Sequence, residues 1–207
     1  MLKRTKGLFL LTLLVITGLA GTLKDSSLSQ KERKEAISLM KDTKADILKG
    51  VKGLSDGQLN FRQVADRWSV KECMYHIAIS EKNLWDILEG SMKTAANPEK
   101  RTEIKITDDE LIKMTEDKTN KVKTVAPLEP QNTPYKSLSE VLNDFKTRRA
   151  DHIKYLKATT EDLRNHVVQM PFGWIDCYQL CLMIASHSNR LSQQIDEIKA
   201  DPNFPSR

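Results

Sequence analysis

A Ser-x-x-Glu pattern occurs three times in this chain, each time ahead of apolar residues with helical spacing, and it sets narrow limits on the fold. The three occurrences are residues 29–32 (SQKE), 69–72 (SVKE) and 137–140 (SLSE). In this pattern the serine hydroxyl accepts a hydrogen bond from the third amide of a helix, and the glutamate reaches back to the serine amide. Each occurrence therefore predicts the start of an amphipathic helix.

The apolar periodicity predicts four long helices. Their expected bounds are near Ser29 to Gly53, Ser69 to about Glu89, Ser137 onward, and near Asp176 to near Ala200. A shorter helix is predicted to start at Thr107 and Asp108. The stretch VAPLEPQNTPYK at 125–136 is predicted to be a long connector, and PFGW at 171–174 a turn. Because no strand-like alternation is visible, the predicted fold class is all-α, a four-helix bundle over residues 28–200 with a tail at 201–207.

The N-terminal segment has the three-part organisation of a secretory signal peptide. Lys3, Arg4 and Lys6 precede an apolar run from Leu8, and small residues follow as far as Ala20. The run is shorter than the roughly 20 residues that span a bilayer, so a membrane anchor is the weaker interpretation. We expect residues 1–21 to be a signal peptide cleaved near Ala20, which predicts a periplasmic or secreted protein with no membrane attachment after cleavage.

The positive charge of the chain lies largely in this segment. The whole sequence has 33 basic and 28 acidic residues, a formal net charge of +5. Removing the first 20 residues takes away three positive charges and leaves 30 against 28, or +2. The sequence therefore predicts no nucleic-acid partner.

Three cysteines occur in the expected bundle, at Cys73, Cys177 and Cys181. Export would permit a disulfide. All three fall on apolar faces of predicted helices, however, and Cys177 and Cys181 are four residues apart on one helix, where an intrahelical bridge has poor geometry. Buried free thiols are therefore the favoured interpretation.

Three histidines lie on or beside the predicted core faces. His76 flanks the apolar stripe of the second long helix, His187 flanks that of the fourth, and His152 lies in the middle of that of the third. Each can be an ordinary core histidine, hydrogen-bonded to a carbonyl or, for His152, to Glu72. Together they can also form a shared site. A fourth histidine, His166, is expected at the rim.

Two longer segments resemble the DinB/YfiT-like superfamily. They are RWSVKECMYHIAISE at 67–81 and DLRNHVVQMPFGWIDCYQLCLMIASHSNRLSQQIDEIK at 162–199. The most specific pieces are Trp-Ser-x-x-Glu-x-x-x-His in the second helix and His-x-x-Arg-x-x-x-Gln-Ile in the last. The resemblance implies a four-helix bundle, and many members bind a divalent metal through three histidines.

The resemblance assigns the metal ligands residue by residue. His76 matches the ligand from the second helix and His187 the first of a His-x-x-x-His pair in the last, whereas Leu191 stands where the third histidine is expected. Two imidazoles alone hold zinc or nickel weakly, because catalytic zinc sites normally use three protein ligands and a water. His152 is the candidate for the missing ligand. Arg190 and Gln194 match the family pattern but cannot replace an imidazole.

Two functions follow from this resemblance. The first is a divalent-metal-dependent enzyme of the thiol-transferase or hydrolase type with an incomplete three-histidine site. The second is a metal-free bundle that binds a small molecule or a partner without catalysis. The oligomeric state stays open between a monomer and a homodimer.

Overall fold

A computed structural model describes residues 28–119 and 123–206. Within these ranges there are six α-helices and two short strands: α1 Gln30–Val51, α2 Asp56–Asn60, α3 Val70–Met92, α4 Asp108–Glu116, α5 Leu138–Ala158, β1 Val167–Met170, β2 Gly173–Asp176 and α6 Cys177–Lys199. Three 3₁₀ segments lie in the connections, at Pro98–Glu103, Ala126–Leu128 and Pro130–Asn132. The predicted signal peptide lies outside the described residues.

The predicted helix starts are confirmed. Ser29 and Ser69 each cap a helix with a reciprocal glutamate bond, and Thr107 caps the shorter helix in the same way. At Ser137 only half of the box forms, because the Glu140 carboxylate accepts its hydrogen bond from the amide of Lys136. The local sequence thus fixes where the helices begin.

Two predictions near the ends of the long helices are wrong. The helix expected to stop before Gly90 continues to Met92. The sequence also showed no strand before the last helix, but two short strands flank the predicted turn and form an antiparallel hairpin, with Val167 opposite Asp176 and Met170 opposite Gly173. Its turn needs Gly173, which has a φ of 137°. Four-residue strands give too few alternations for the pattern to be recognised in the sequence.

The four long helices, α1, α3, α5 and α6, form the bundle in an unusual direction pattern. Helices α1 and α6 run parallel, since Glu32 contacts Tyr178 near their starts and Gly50 contacts Ile195 near their ends. Helices α3 and α5 run parallel to each other and antiparallel to this pair. Helix α4 packs on the outside of α6.

The core is divided into two apolar clusters. One cluster combines the first half of α1 and α6 with the second half of α3 and α5, and the other combines the opposite halves. Between them the four helices contribute polar buried residues, namely Thr43, Glu81, Arg149 and Ser188. We call these four residues the polar layer.

The C-terminal residues 201–206 pack back onto the short helix α2. The Phe204 ring lies edge-on to Phe61, with ring centroids 5.5 Å apart, and the Pro205 carbonyl accepts a hydrogen bond from the Gln58 side chain. No helix in the described ranges is both long and apolar enough to span a bilayer. The three cysteines all lie in those ranges and are buried free thiols, as predicted.

Replacing Ser69 by alanine is expected to destabilise the protein by about 1 kcal/mol, because the first turn of α3 would lose the hydroxyl that accepts from the Glu72 amide. Chemical denaturation of the two proteins measures this difference. Ser139→Ala is the control, since Ser139 is exposed and has no capping role. An unchanged free energy of unfolding in Ser69→Ala would contradict the capping role.

Candidate functional site

Helices α3 and α6 bring His76 and His187 together. The two helices run antiparallel, so that the end of α3 at Ser91 contacts the start of α6 at Cys177. A side-chain cap marks the start of each helix, Ser69 for α3 and Asp176 for α6. The two imidazole rings meet edge to face, with centroids 5.1 Å apart and an interplanar angle of 68°. The structure thus joins the two histidines that the sequence placed on separate helices.

The imidazole of His76 is held in one tautomer. Its Nδ1 lies 2.8 Å from the carbonyl oxygen of Leu128, which can only accept, so Nδ1 carries the proton and Nε2 keeps a lone pair. The ring is buried and packs against Trp68, with ring centroids 4.7 Å apart. Burial lowers the pKa of His76, although the bond to Leu128 works against this shift. His76 is therefore a neutral hydrogen-bond acceptor at neutral pH.

The imidazole of His187 is half-buried and also neutral. Desolvation is the largest cause that lowers the pKa of His187 below its ordinary value. The positive charges that His76 and Arg190 can carry lower this pKa further. The charge of Glu81 opposes this shift without reversing it. The pair consequently presents two uncharged imidazoles side by side.

Leu191 is a packed core residue. It is 2% exposed and belongs to the same apolar cluster as Ile195, Ile198 and Val70. The position one turn after His187 therefore offers an aliphatic side chain within the core.

His152 is held by a different set of neighbours. Its ring stacks on Trp85 with centroids 3.7 Å apart, and its Nδ1 lies 3.1 Å from Glu81 Oε1. The angle of this contact does not suit a hydrogen bond. Among the described residues, Nδ1 therefore has an electrostatic contact with Glu81 but no hydrogen-bond partner. The sequence suggested Glu72 as the alternative partner, but Glu72 binds the Ser69 amide and forms an ion pair with Arg62.

The donor set does not fit a three-ligand metal centre. Over residues 28–119 and 123–206, no three His, Cys, Asp or Glu side chains are arranged to hold a metal ion. A catalytic zinc site normally requires three protein ligands. The expected convergence of His76, His187 and His152 on one point is therefore not found, because His152 lies against Glu81 and Trp85 instead.

The most strongly bonded group near the site is the ion pair of Arg149 and Glu81, which was not predicted from the sequence. Arg149 is fully buried and Glu81 is 3% exposed. Burial alone would raise the pKa of Glu81, but the Arg149 guanidinium and His152 hold the pKa well below its usual range. Helical spacing could have revealed both residues, since Glu81 follows Ile77 by four positions and Arg149 follows Phe145 by four.

His166 was predicted to lie at the rim, but it is buried. It is 7% exposed, and its Nδ1 donates to the carbonyl of Ser91 at 3.0 Å. The hairpin that the sequence did not reveal carries it inward against the end of α3. His166 thus has a structural role in fastening the hairpin.

A cavity of about 320 Å³ lies near the starts of α4 and α6, among Arg101, Arg164, Asp108 and Asp176. The guanidinium of Arg164 binds Asp108 at 2.6 Å, Glu32 at 2.8 Å and Asp176 at 3.0 Å. These charges satisfy one another. The cavity is therefore the edge of an ion-pair network that ties the hairpin to α1 and α4.

The protein is a helical bundle that carries a pair of histidines on two neighbouring helices, α3 and α6. The sequence profile of the DinB superfamily matches residues 39–195. The chain belongs to the DinB superfamily.

Two individual proteins are similar to this chain. The uncharacterized protein YuaE from Bacillus subtilis (strain 168) is 24% identical over 164 residues, which are 79% of this chain and 96% of YuaE. The solved structure of YfiT from Bacillus subtilis matches with a TM-score of 0.57 and 16% identity, covering 84% of this chain and 89% of that one. YfiT is described as a probable metal-dependent hydrolase with an unusual four-helix bundle topology. At this identity the likeness to YfiT shows the shared fold.

Proposed function

We propose that this protein is a DinB-superfamily bundle that binds a small molecule or a partner beside His76 and His187 without a tightly bound catalytic metal. The observation that carries the proposal is the position of Leu191, which is 2% exposed in the core where the resemblance calls for a third imidazole. His152 supports it, because its ring is engaged by Trp85 and Glu81.

The chemistry of the pair is suited to binding. His76 offers the Nε2 lone pair in a fixed orientation, and the half-buried ring of His187 lies beside it. The Trp68 ring adds an aromatic surface against which a ligand can pack. A small molecule with a hydrogen-bond donor next to an apolar group matches these features.

A divalent-metal-dependent enzyme of the thiol-transferase or hydrolase type is the second candidate. One observation favours it: a metal-ligating histidine usually donates its other ring N–H to a carbonyl or carboxylate, as His76 Nδ1 does to Leu128. The description of YfiT points in the same direction. In that function His76 and His187 would hold zinc or nickel as a weak two-imidazole site.

Calorimetric titration with zinc and nickel separates the two candidates. Wild-type protein and His152→Ala are both expected to bind weakly, whereas Leu191→His should bind about 100-fold more tightly, a gain of about 2.7 kcal/mol. Tight binding by the wild type would contradict the proposal. If that binding were lost in His152→Ala, His152 would be the third ligand.

We also propose that the mature protein is periplasmic or secreted, on the basis of the charged, apolar and small residues that succeed one another up to Ala20. N-terminal sequencing of protein from its native host should find a chain that begins shortly after Ala20. Recovery of intact Met1 in the cytoplasmic fraction would contradict export.

A further inference from the structure

Arg149 uses every hydrogen-bond donor that it has. A guanidinium carries five N–H groups in a fixed plane. Nε and Nη2 donate to the two carboxylate oxygens of Glu81 at 2.9 and 2.7 Å, and Nη2 also donates to Ser188 Oγ at 2.8 Å. Nη1 donates to Thr43 Oγ1 at 2.9 Å and to the Met40 carbonyl at 3.2 Å. The side chain is fully buried, so these bonds are shielded from water.

These five bonds connect all four long helices. Arg149 lies on α5, and its partners lie on α1, α3 and α6. The α3 partner, Glu81, follows His76 by five residues. The α6 partner, Ser188, is the residue directly after His187. Each candidate site histidine is therefore within about a turn and a half of a residue that Arg149 holds.

We infer that Arg149 is a positioning residue that sets the placement of His76 relative to His187. The apolar clusters on both sides of the polar layer attract without direction, so they permit small shifts or rotations of α3 against α6. The planar guanidinium bonds in fixed directions and removes that freedom. This inference rests on the proposed function, since it treats the His76–His187 pair as the binding site.

The test uses Glu81→Gln/Arg149→Met, which removes both buried charges and leaves the net charge of the protein unchanged. The glutamine still offers His152 an oxygen. NMR of the histidine side chains then reports the Nδ1–H of His76 and the NOE between the His76 and His187 rings. We expect the NOE to be lost and the Nδ1–H signal to shift or broaden in a protein that still unfolds cooperatively.

Leu156→Ala is the matched control, because it removes fully buried side-chain atoms from the same helix and leaves the polar layer intact. Both NMR signals should persist in this control. Wild-type signals in Glu81→Gln/Arg149→Met would overturn the inference and leave Arg149 a purely structural role. If the double variant does not fold, Arg149→Lys replaces it, since lysine keeps the charge and loses the planar fork.

A second measurement uses zinc affinity in Leu191→His, where residue 191 supplies a third imidazole, to report how well His76 and His187 are placed. In the Leu191→His background, Glu81→Gln/Arg149→Met should weaken zinc binding by about 10–100-fold, as expected when the groups that orient metal ligands are altered. Unchanged zinc affinity would count against the inference. The NMR signals do not depend on metal, so they test Arg149 whether or not the proposed function is correct.

Discussion

Arg149→Met is expected to lower the free energy of unfolding by about 3–5 kcal/mol, the largest single effect that the structure predicts. The substitution removes the guanidinium from the buried Glu81 carboxylate and leaves the His152 imidazole 3.1 Å away. The Met40 carbonyl and the hydroxyls of Thr43 and Ser188 also lose a donor. Chemical denaturation at neutral pH measures the loss.

The adjacent residue on the same helix provides the control. Arg148 forms an ion pair with Asp144 at 2.7 Å, and both side chains are partly exposed to solvent. Arg148→Met should therefore change stability by no more than about 1 kcal/mol. A comparable loss in the two variants would show that burial of the ion pair is not the cause.

Two further measurements identify the source of the effect. Glu81→Gln/Arg149→Met should be more stable than Arg149→Met, because no unpaired charge remains in the core. In Arg149→Met burial should raise the pKa of Glu81 above that of the same residue in the unfolded chain. Over the pH range between the two pKa values, the folded protein then holds a proton that the unfolded chain has lost. Acidification should then recover part of the lost stability. The absence of both effects would contradict a role for the buried charge.

Leu191→His should have two opposite effects that depend on zinc. Without metal, replacing a packed leucine by an imidazole in the apolar cluster should cost about 2–5 kcal/mol. With zinc at about 100 times its dissociation constant, the variant should recover about 2.7 kcal/mol, because only the folded state holds the ligands together. Thermal unfolding with zinc and with a chelator measures both effects.

The matched control for this experiment is Leu191→Ala. It should lose a similar amount of stability in the absence of metal, because it leaves a cavity at the same position. Zinc should not restore it, since alanine offers no ligand. Equal behaviour of the two variants with zinc would mean that His76 and His187 are not placed to share a metal with residue 191, and would count against a decayed metal site.

The helical architecture was predictable because its determinants are local. Capping boxes at Ser29, Ser69 and Thr107 depend on residues three positions apart, and the apolar stripes depend on spacing within one helix. Both are therefore visible in the sequence. The burial of Leu191 was predictable for the same reason. The hairpin at 167–176 was not, because two four-residue strands are stabilised by the elements that they contact.

Local sequence accounts for the helix starts, the apolar faces and the lack of a third histidine one turn after His187. The packing of the helices sets which polar side chains on those faces meet. It joined His76 to His187 across antiparallel helices, directed His152 to Trp85 and Glu81, and surrounded Arg149 with groups from all four helices. Helical periodicity specifies which face a residue occupies. Partners far apart in sequence are set by the directions and relative heights of the packed helices, which no local pattern encodes.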